Sequence, residues 1–257
     1  MNDLQRRRSV YLLPNAFTTA NLFAGFYAIV QAMNGQFEVA AIAIFAAMVL
    51  DAMDGRVARM TNTQSSFGEQ YDSMSDIVSF GVAPALVMYE YLLQDIGRWG
   101  WIAAFIYVAG AAIRLARFNT NIAVVDSRFF QGLPSPSAAA LVAGFVWLSV
   151  DNKIPSYEFQ AWIAFAITTY AGITMVSNAP FFSGKSLALE KKLSPATIML
   201  AVVLVFAVVS VNPPIVLFGL FVIYGLSGWV VMVWRWRRAR YLLQQRQDAA
   251  QQASDGN

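Results

Sequence analysis

The sequence predicts an all-α polytopic membrane protein of about eight transmembrane helices, with both termini cytoplasmic. Three observations lead there. Hydrophobic residues fill 58% of the 257 positions and charged residues only 13%, for a mean hydropathy of +0.50. A soluble domain of this size needs far more polar surface. The apolar residues fall into blocks of helical length between short polar connectors, and the basic residues sort to one side of those blocks.

The spans follow in order. Residues 15–33 come after Pro14-Asn15, a pair that reads as a helix start. Asn34-Gly35 separates them from 38–60. Residues 68–93 form the third span, and Asp95-Ile96-Gly97 leads into the fourth, 98–118. Residues 135–150 and 158–178 flank the polar run 151–156, and Asn212-Pro213-Pro214 divides 196–211 from 214–234. A crossing takes about 20 residues at ~1.5 Å rise, so 135–150 and 196–211 are short for one. No internal repeat is visible. Residues 1–240 read as one membrane domain. Residues 241–257 lack an apolar face and are expected to be a disordered cytoplasmic tail. The polar, basic stretch 1–9 argues against a cleavable signal peptide.

Charge placement sets the orientation. With a cytoplasmic N-terminus the inner side receives Arg6, Arg7, Arg8, Arg56, Arg59, Arg114, Arg117, Arg128, Lys185, Lys191, Lys192, Arg235, Arg237, Arg238, Arg240 and Arg246. That is 16 of the 18 basic residues, leaving Arg98 and Lys153 outside. An odd number of spans would spoil this partition. The expected location is the inner, cytoplasmic membrane. The modest formal charge of +3 gives no reason to expect a nucleic-acid partner.

Four aspartates break the apolar pattern. Asp51 and Asp54 are three apart, Asp72 and Asp76 four apart, so each pair shares a helix face. A carboxylate at membrane depth is costly unless its charge is cancelled. Either later aspartate alone could cap a helix, but two pairs at the same surface leave little room for that reading. The chain has no Cys and no His. Disulfides, thiolate catalysis and soft-metal sites are excluded, as are the usual general base and the commonest zinc ligand. What remains is an all-oxygen site for a hard divalent cation.

The stretch Asp51-x-x-Asp54-Gly55-x-x-Ala58-Arg59, then eight residues, then Gly68-x-x-x-Asp72-x-x-x-Asp76 resembles the complete motif of the CDP-alcohol phosphatidyltransferases. The resemblance implies Asp51, Asp54, Asp72 and Asp76 as metal ligands, with Asp76 also the general base. The cofactor would be magnesium or manganese, two ions in expectation. CDP contacts would fall at Asn15, Thr18, Gly55, Ala58, Arg59 and Gly68. Physical chemistry agrees: small residues admit a substrate closely, and Arg59 offers a fixed cation for phosphate.

Further segments are L-L-P-N-A-F-T-T-A-N-L-F-A-G-F at 12–26, S-F-G-V-A-P-A at 79–85, R-L-A-R-F-N at 114–119, G-L-P-S-P at 132–136 and M-V-S-N at 175–178. They are similar to the serine-accepting, integral-membrane branch of that family. The similarity runs from about residue 10 to 190. It implies CDP-diacylglycerol and L-serine as substrates, phosphatidylserine and CMP as products, and a homodimer. Arg114 and Arg117, a turn apart, are either membrane anchors or the site for an acceptor's carboxylate or phosphate. Glycerol 3-phosphate and inositol phosphate therefore remain rival acceptors. An ion-coupled transporter remains the rival of another class, although such sites sit near the midplane.

Overall fold

A computed structural model describes residues 3–61, 65–120, 129–151, 157–183 and 195–255, and they are almost entirely helical. The helices are α1 (Asp3–Met33), α2 (Phe37–Thr61), α3 (Ser66–Asp76), α4 (Ala83–Tyr91), α5 (Arg98–Thr120), α6 (Ser135–Asp151), α7 (Tyr157–Val176), α8 (Pro195–Val211) and α9 (Pro213–Asp255). Each apolar block of the sequence thus becomes helix, the third as α3 and α4 joined by a π-helical stretch, Ile77–Val82. Among the described residues, four helical stretches are long and apolar enough to cross a membrane: Asn15–Met33, Arg98–Thr120, Phe159–Val176 and Pro213–Arg238. The chain is a multi-pass membrane protein.

Small side chains set the packing. Ala24, Ala28 and Ala32 of α1 are buried beside Ala40, Ala41 and Ala47 of α2, and these two helices share the most extensive contact in the molecule. Without a hydrophobic force between helices in lipid, close backbone approach through small residues supplies the van der Waals energy. Helices α5 and α7 take this further. A Cβ on Gly110 would lie 2.4 Å from the Gly172 carbonyl oxygen, so the two backbones touch where they cross.

Pro84 explains the π-helical turn. It has no N–H for the Phe80 carbonyl four residues earlier, so the regular ladder cannot continue through it. The chain widens into π geometry, in which the Ala83 N–H reaches back to the Val78 carbonyl. The Phe80 carbonyl receives a hydrogen bond from the buried Tyr107 hydroxyl of α5 at 2.9 Å. The turn begins immediately after Asp76.

Three features differ from the sequence expectations. Helix α1 begins at Asp3 and passes through Pro14 rather than starting at Pro14-Asn15. Proline's fixed φ suits a helix, and only the Val10 carbonyl is left without its usual partner. Helix α9 continues to Asp255, so the tail expected to be disordered is helical. Its Gln, Arg and Ala residues are good helix formers, and extending an existing helix carries no nucleation cost. The third is an unforeseen two-stranded antiparallel ribbon, β1 (Phe129–Gln131) against β2 (Pro180–Phe182). It docks on α9, where Tyr224 donates to the Phe182 carbonyl at 3.1 Å. Phe181 packs so tightly under Gly228 that a Cβ there would lie 2.4 Å from its ring.

Lipid-facing surface is plain on α8 and α9, where Met199, Leu200, Val203, Leu204, Phe206 and Ile223 are exposed. Farther along α9, Arg240 stacks 3.6 Å from the Trp236 ring centre and Arg238 5.4 Å from that of Trp234. This is the aromatic and basic belt expected at a membrane surface. Arg128, Lys185, Lys191 and Lys192 lie outside the described residues, as do the side chains of Arg6, Arg7 and Arg8.

Candidate active site

The second half of α2 and the length of α3 bring the aspartates together. Carboxylate oxygens of Asp51, Asp72 and Asp76 lie within 4.8 Å of one another. Asp54, only 5% exposed, stands beside them within reach of Asp72 and Arg59. It accepts a hydrogen bond from the Thr18 hydroxyl at 3.1 Å. The spacing of three and four residues does what the helix period requires, turning each pair to one side.

Helix α1 forms the third wall. Asn21, fully buried, donates its amide to Asp76 Oδ1 at 3.3 Å. The α1 backbone is tied to α3 and the π-helical turn by two buried hydroxyls: Ser75 donates to the Thr18 carbonyl and Ser79 to the Asn21 carbonyl, both at 3.0 Å. At Gly25 the approach is closer still, since a Cβ there would lie 2.6 Å from the Ser79 Cα. Thr18, Asn21 and Gly25 follow helical spacing on one face of α1. The sequence reading missed Asn21, Ser75 and Ser79. The signal available was that polar stripe inside an apolar helix.

The residues expected to bind CDP are placed as follows. Asn15 lies over Gly68, its Oδ1 being 3.7 Å from where a Cβ on that glycine would sit. Arg59 folds its guanidinium over Gly55, 3.6 Å from the corresponding point. The Gly68 N–H is held at 3.0 Å by Ser65, the N-cap of α3. Thr18 turns to Asp54. The side chain of Ala58 lies outside the described residues.

Helix α5 closes the remaining side. Asn119 donates to the Ser73 hydroxyl at 3.1 Å, next to Asp72. Arg114, partly buried, donates to Ser135 at 2.9 Å, its Nε is buried without a partner, and Asp76 is in its electrostatic neighbourhood. Arg117 bonds to the ribbon and the chain leading into it. Its guanidinium donates to Gln131 at 2.7 Å, to Asn178 at 2.6 Å and to the Val176 carbonyl at 3.3 Å. The two arginines that the sequence had paired thus have different hydrogen-bond partners.

The donor set fits a hard divalent cation. Three carboxylates at this spacing repel one another unless a positive charge lies between them. Oxygens bound to one such ion at 2.3–2.6 Å can be no more than about 5 Å apart. Asp72 Oδ1 and Asn21 Oδ1 are buried without hydrogen-bond partners, and buried acceptors left so are costly.

Fold and site together define a multi-pass membrane protein whose helices gather an oxygen-only acidic centre. Residues 11–176 match the family model described as CDP-alcohol phosphatidyltransferase, and the chain belongs to that family. A protein of Helicobacter pylori strain J99 named CDP-diacylglycerol–serine O-phosphatidyltransferase is 38% identical over 228 residues, covering 87% of this chain and 93% of the relative. Proteins of the same name from Mycobacterium bovis and Methanocaldococcus jannaschii are similar too. They are 33% and 34% identical over 226 and 174 residues, covering 85% and 68% of this chain and 77% and 75% of the relatives.

Proposed function

We propose that this chain transfers the phosphatidyl group of CDP-diacylglycerol to L-serine, releasing phosphatidylserine and CMP. The observation that carries the proposal is the meeting of Asp51, Asp72 and Asp76 in a chain of this family. The acceptor follows from the relatives' name.

Asp51, Asp72 and Asp76 would hold the metal, with Asp54 completing the set, and a bound divalent ion neutralises phosphate oxygens and stabilises the leaving group. Magnesium or manganese, as two ions, is the composition we propose. A serine hydroxyl is a weak nucleophile at neutral pH and needs a positioned base. Asp76 takes the hydroxyl proton as the serine oxygen–phosphorus bond forms. The phosphorus–oxygen bond to CMP breaks, and its electron pair leaves with CMP. Asn21 donates to Oδ1 of Asp76 and so orients the carboxylate for this transfer. Thr18 fixes Asp54, and Arg59, Gly55, Gly68, Asn15 and Ala58 form the nucleotide side. Arg114, held by Ser135, faces the acceptor.

An apolar crevice of about 410 Å3 between α6 and α9, lined by Leu220, Phe221, Ile223 and Tyr224, suits a lipid chain arriving sideways from the bilayer. The remaining parts of the proposal are the cytoplasmic membrane as location, a site facing the cytoplasm, eight crossings in one domain, and a homodimer.

The test is CMP release by purified protein given CDP-diacylglycerol and manganese or magnesium, with L-serine, glycerol 3-phosphate or inositol phosphate as acceptor. Serine-dependent release that EDTA abolishes is the expected result. Release with only a phosphorylated acceptor would overturn the serine assignment and keep the aspartate chemistry. No release with any acceptor, together with cation flux in liposomes, would favour a transporter.

A further inference from the structure

Arg117 leaves two side-chain amides pointing outward. Its Nη2 donates to both Gln131 Oε1 and Asn178 Oδ1, so in each amide the oxygen faces the guanidinium. The NH2 group, on the same planar carbon, must then point elsewhere. Both residues are exposed, and neither NH2 group has a partner among the described residues. The three acceptors that Arg117 uses are neutral oxygens. They orient the guanidinium without cancelling its charge. The result is a cluster of four free amide N–H donors around a fixed positive charge, open to water, and with no carboxylate in it among the described residues.

Its position is set by the two connections that form the ribbon. Gln131 ends β1 and Asn178 precedes β2, and Gln131 pairs with Pro180 across the ribbon. Arg117 is two residues before Asn119, which bonds Ser73 beside Asp72, and one turn beyond Arg114, in the field of Asp76. Along α5 the cluster therefore lies within about one helical turn, ~5 Å of rise, of both residues that border the acidic centre. The M-V-S-N segment and the residue before G-L-P-S-P, conspicuous in the sequence without a role, supply its amides.

We infer that Gln131 and Asn178, oriented by Arg117, bind the carboxylate of the small amino-acid acceptor and so select it. This rests on the reading of the chain as a serine phosphatidyltransferase. Planar N–H donors beside a guanidinium match a carboxylate's two oxygens, and a hydrogen bond to a charged group is worth enough to decide between acceptors. Alcohols with neither a carboxylate nor another anionic group lose the charge-assisted part of this binding.

The experiment compares L-serine with L-serinamide, which keeps the hydroxyl and amine and lacks the carboxylate, in the full-length enzyme and in Asn178→Asp and Gln131→Glu. Each variant keeps an oxygen for Arg117, so the clasp survives, while the outward N–H donors become a carboxylate oxygen that repels the acceptor's. The expected result is a rise of about tenfold or more in KM for L-serine, with KM for CDP-diacylglycerol unchanged and a much smaller change with L-serinamide. Equal losses with both acceptors, or no loss with either, would overturn the inference and leave the residues as fold supports. Wild-type enzyme that used no serine would overturn the function itself, a result visible before any variant is compared.

Discussion

Asp76 carries two demands at once, membership of a carboxylate cluster and a hydrogen bond from Asn21. Replacing it with Asn keeps shape and a coordinating oxygen and removes the basicity. The expected effect of Asp76→Asn is a fall in kcat of about 10²–10⁴, the usual worth of a positioned base. It is measured as CMP release under saturating manganese, with metal binding followed separately by calorimetry. Retention of most activity with the metal bound would reassign the base. The aspartates were legible from the chain because carboxylates in apolar helices have few explanations. Asn21 was not, because a single amide in a helix has many.

Between α3 and α4 the structure turns on one proline and one tyrosine. Pro84 removes a backbone donor, and Tyr107 from another helix supplies the replacement at Phe80. Tyr107→Phe leaves that buried carbonyl unsatisfied and is expected to cost about 1–3 kcal/mol, read as a lowered unfolding temperature in detergent. Activity should fall with it, because the π-helical turn starts at Asp76. An unchanged unfolding temperature would mean that the π turn satisfies its own carbonyls. The sequence reading ran the third span, 68–93, straight through Pro84, where an irregularity forms. The sequence could not say that it would be a π turn, because that depends on a hydroxyl 27 residues away. The ribbon was equally silent: strands of three residues carry no usable alternation, and what holds this one is Arg117 and α9.

Under the proposed eight-span topology, the basic residues and the acidic centre would share one side of the membrane. Because the chain contains no cysteine, single cysteines report sidedness without background. Cysteines placed at Gly35 and Gly97 should label from outside intact cells, and one at Gln244 only after permeabilisation. Labelling of Gln244 from outside would invert the orientation. The class of protein, the order of its helices and the aspartate motif follow from local information, namely hydropathy blocks, helix spacing and residue chemistry. Only tertiary structure decided that α1 walls the site with Asn21 and turns Thr18 to Asp54. It alone set Arg114 against Ser135, in the field of Asp76, while binding Arg117 to the ribbon. Those contacts join residues up to 61 positions apart. No periodicity encodes such pairings, because they exist only once the helices have packed.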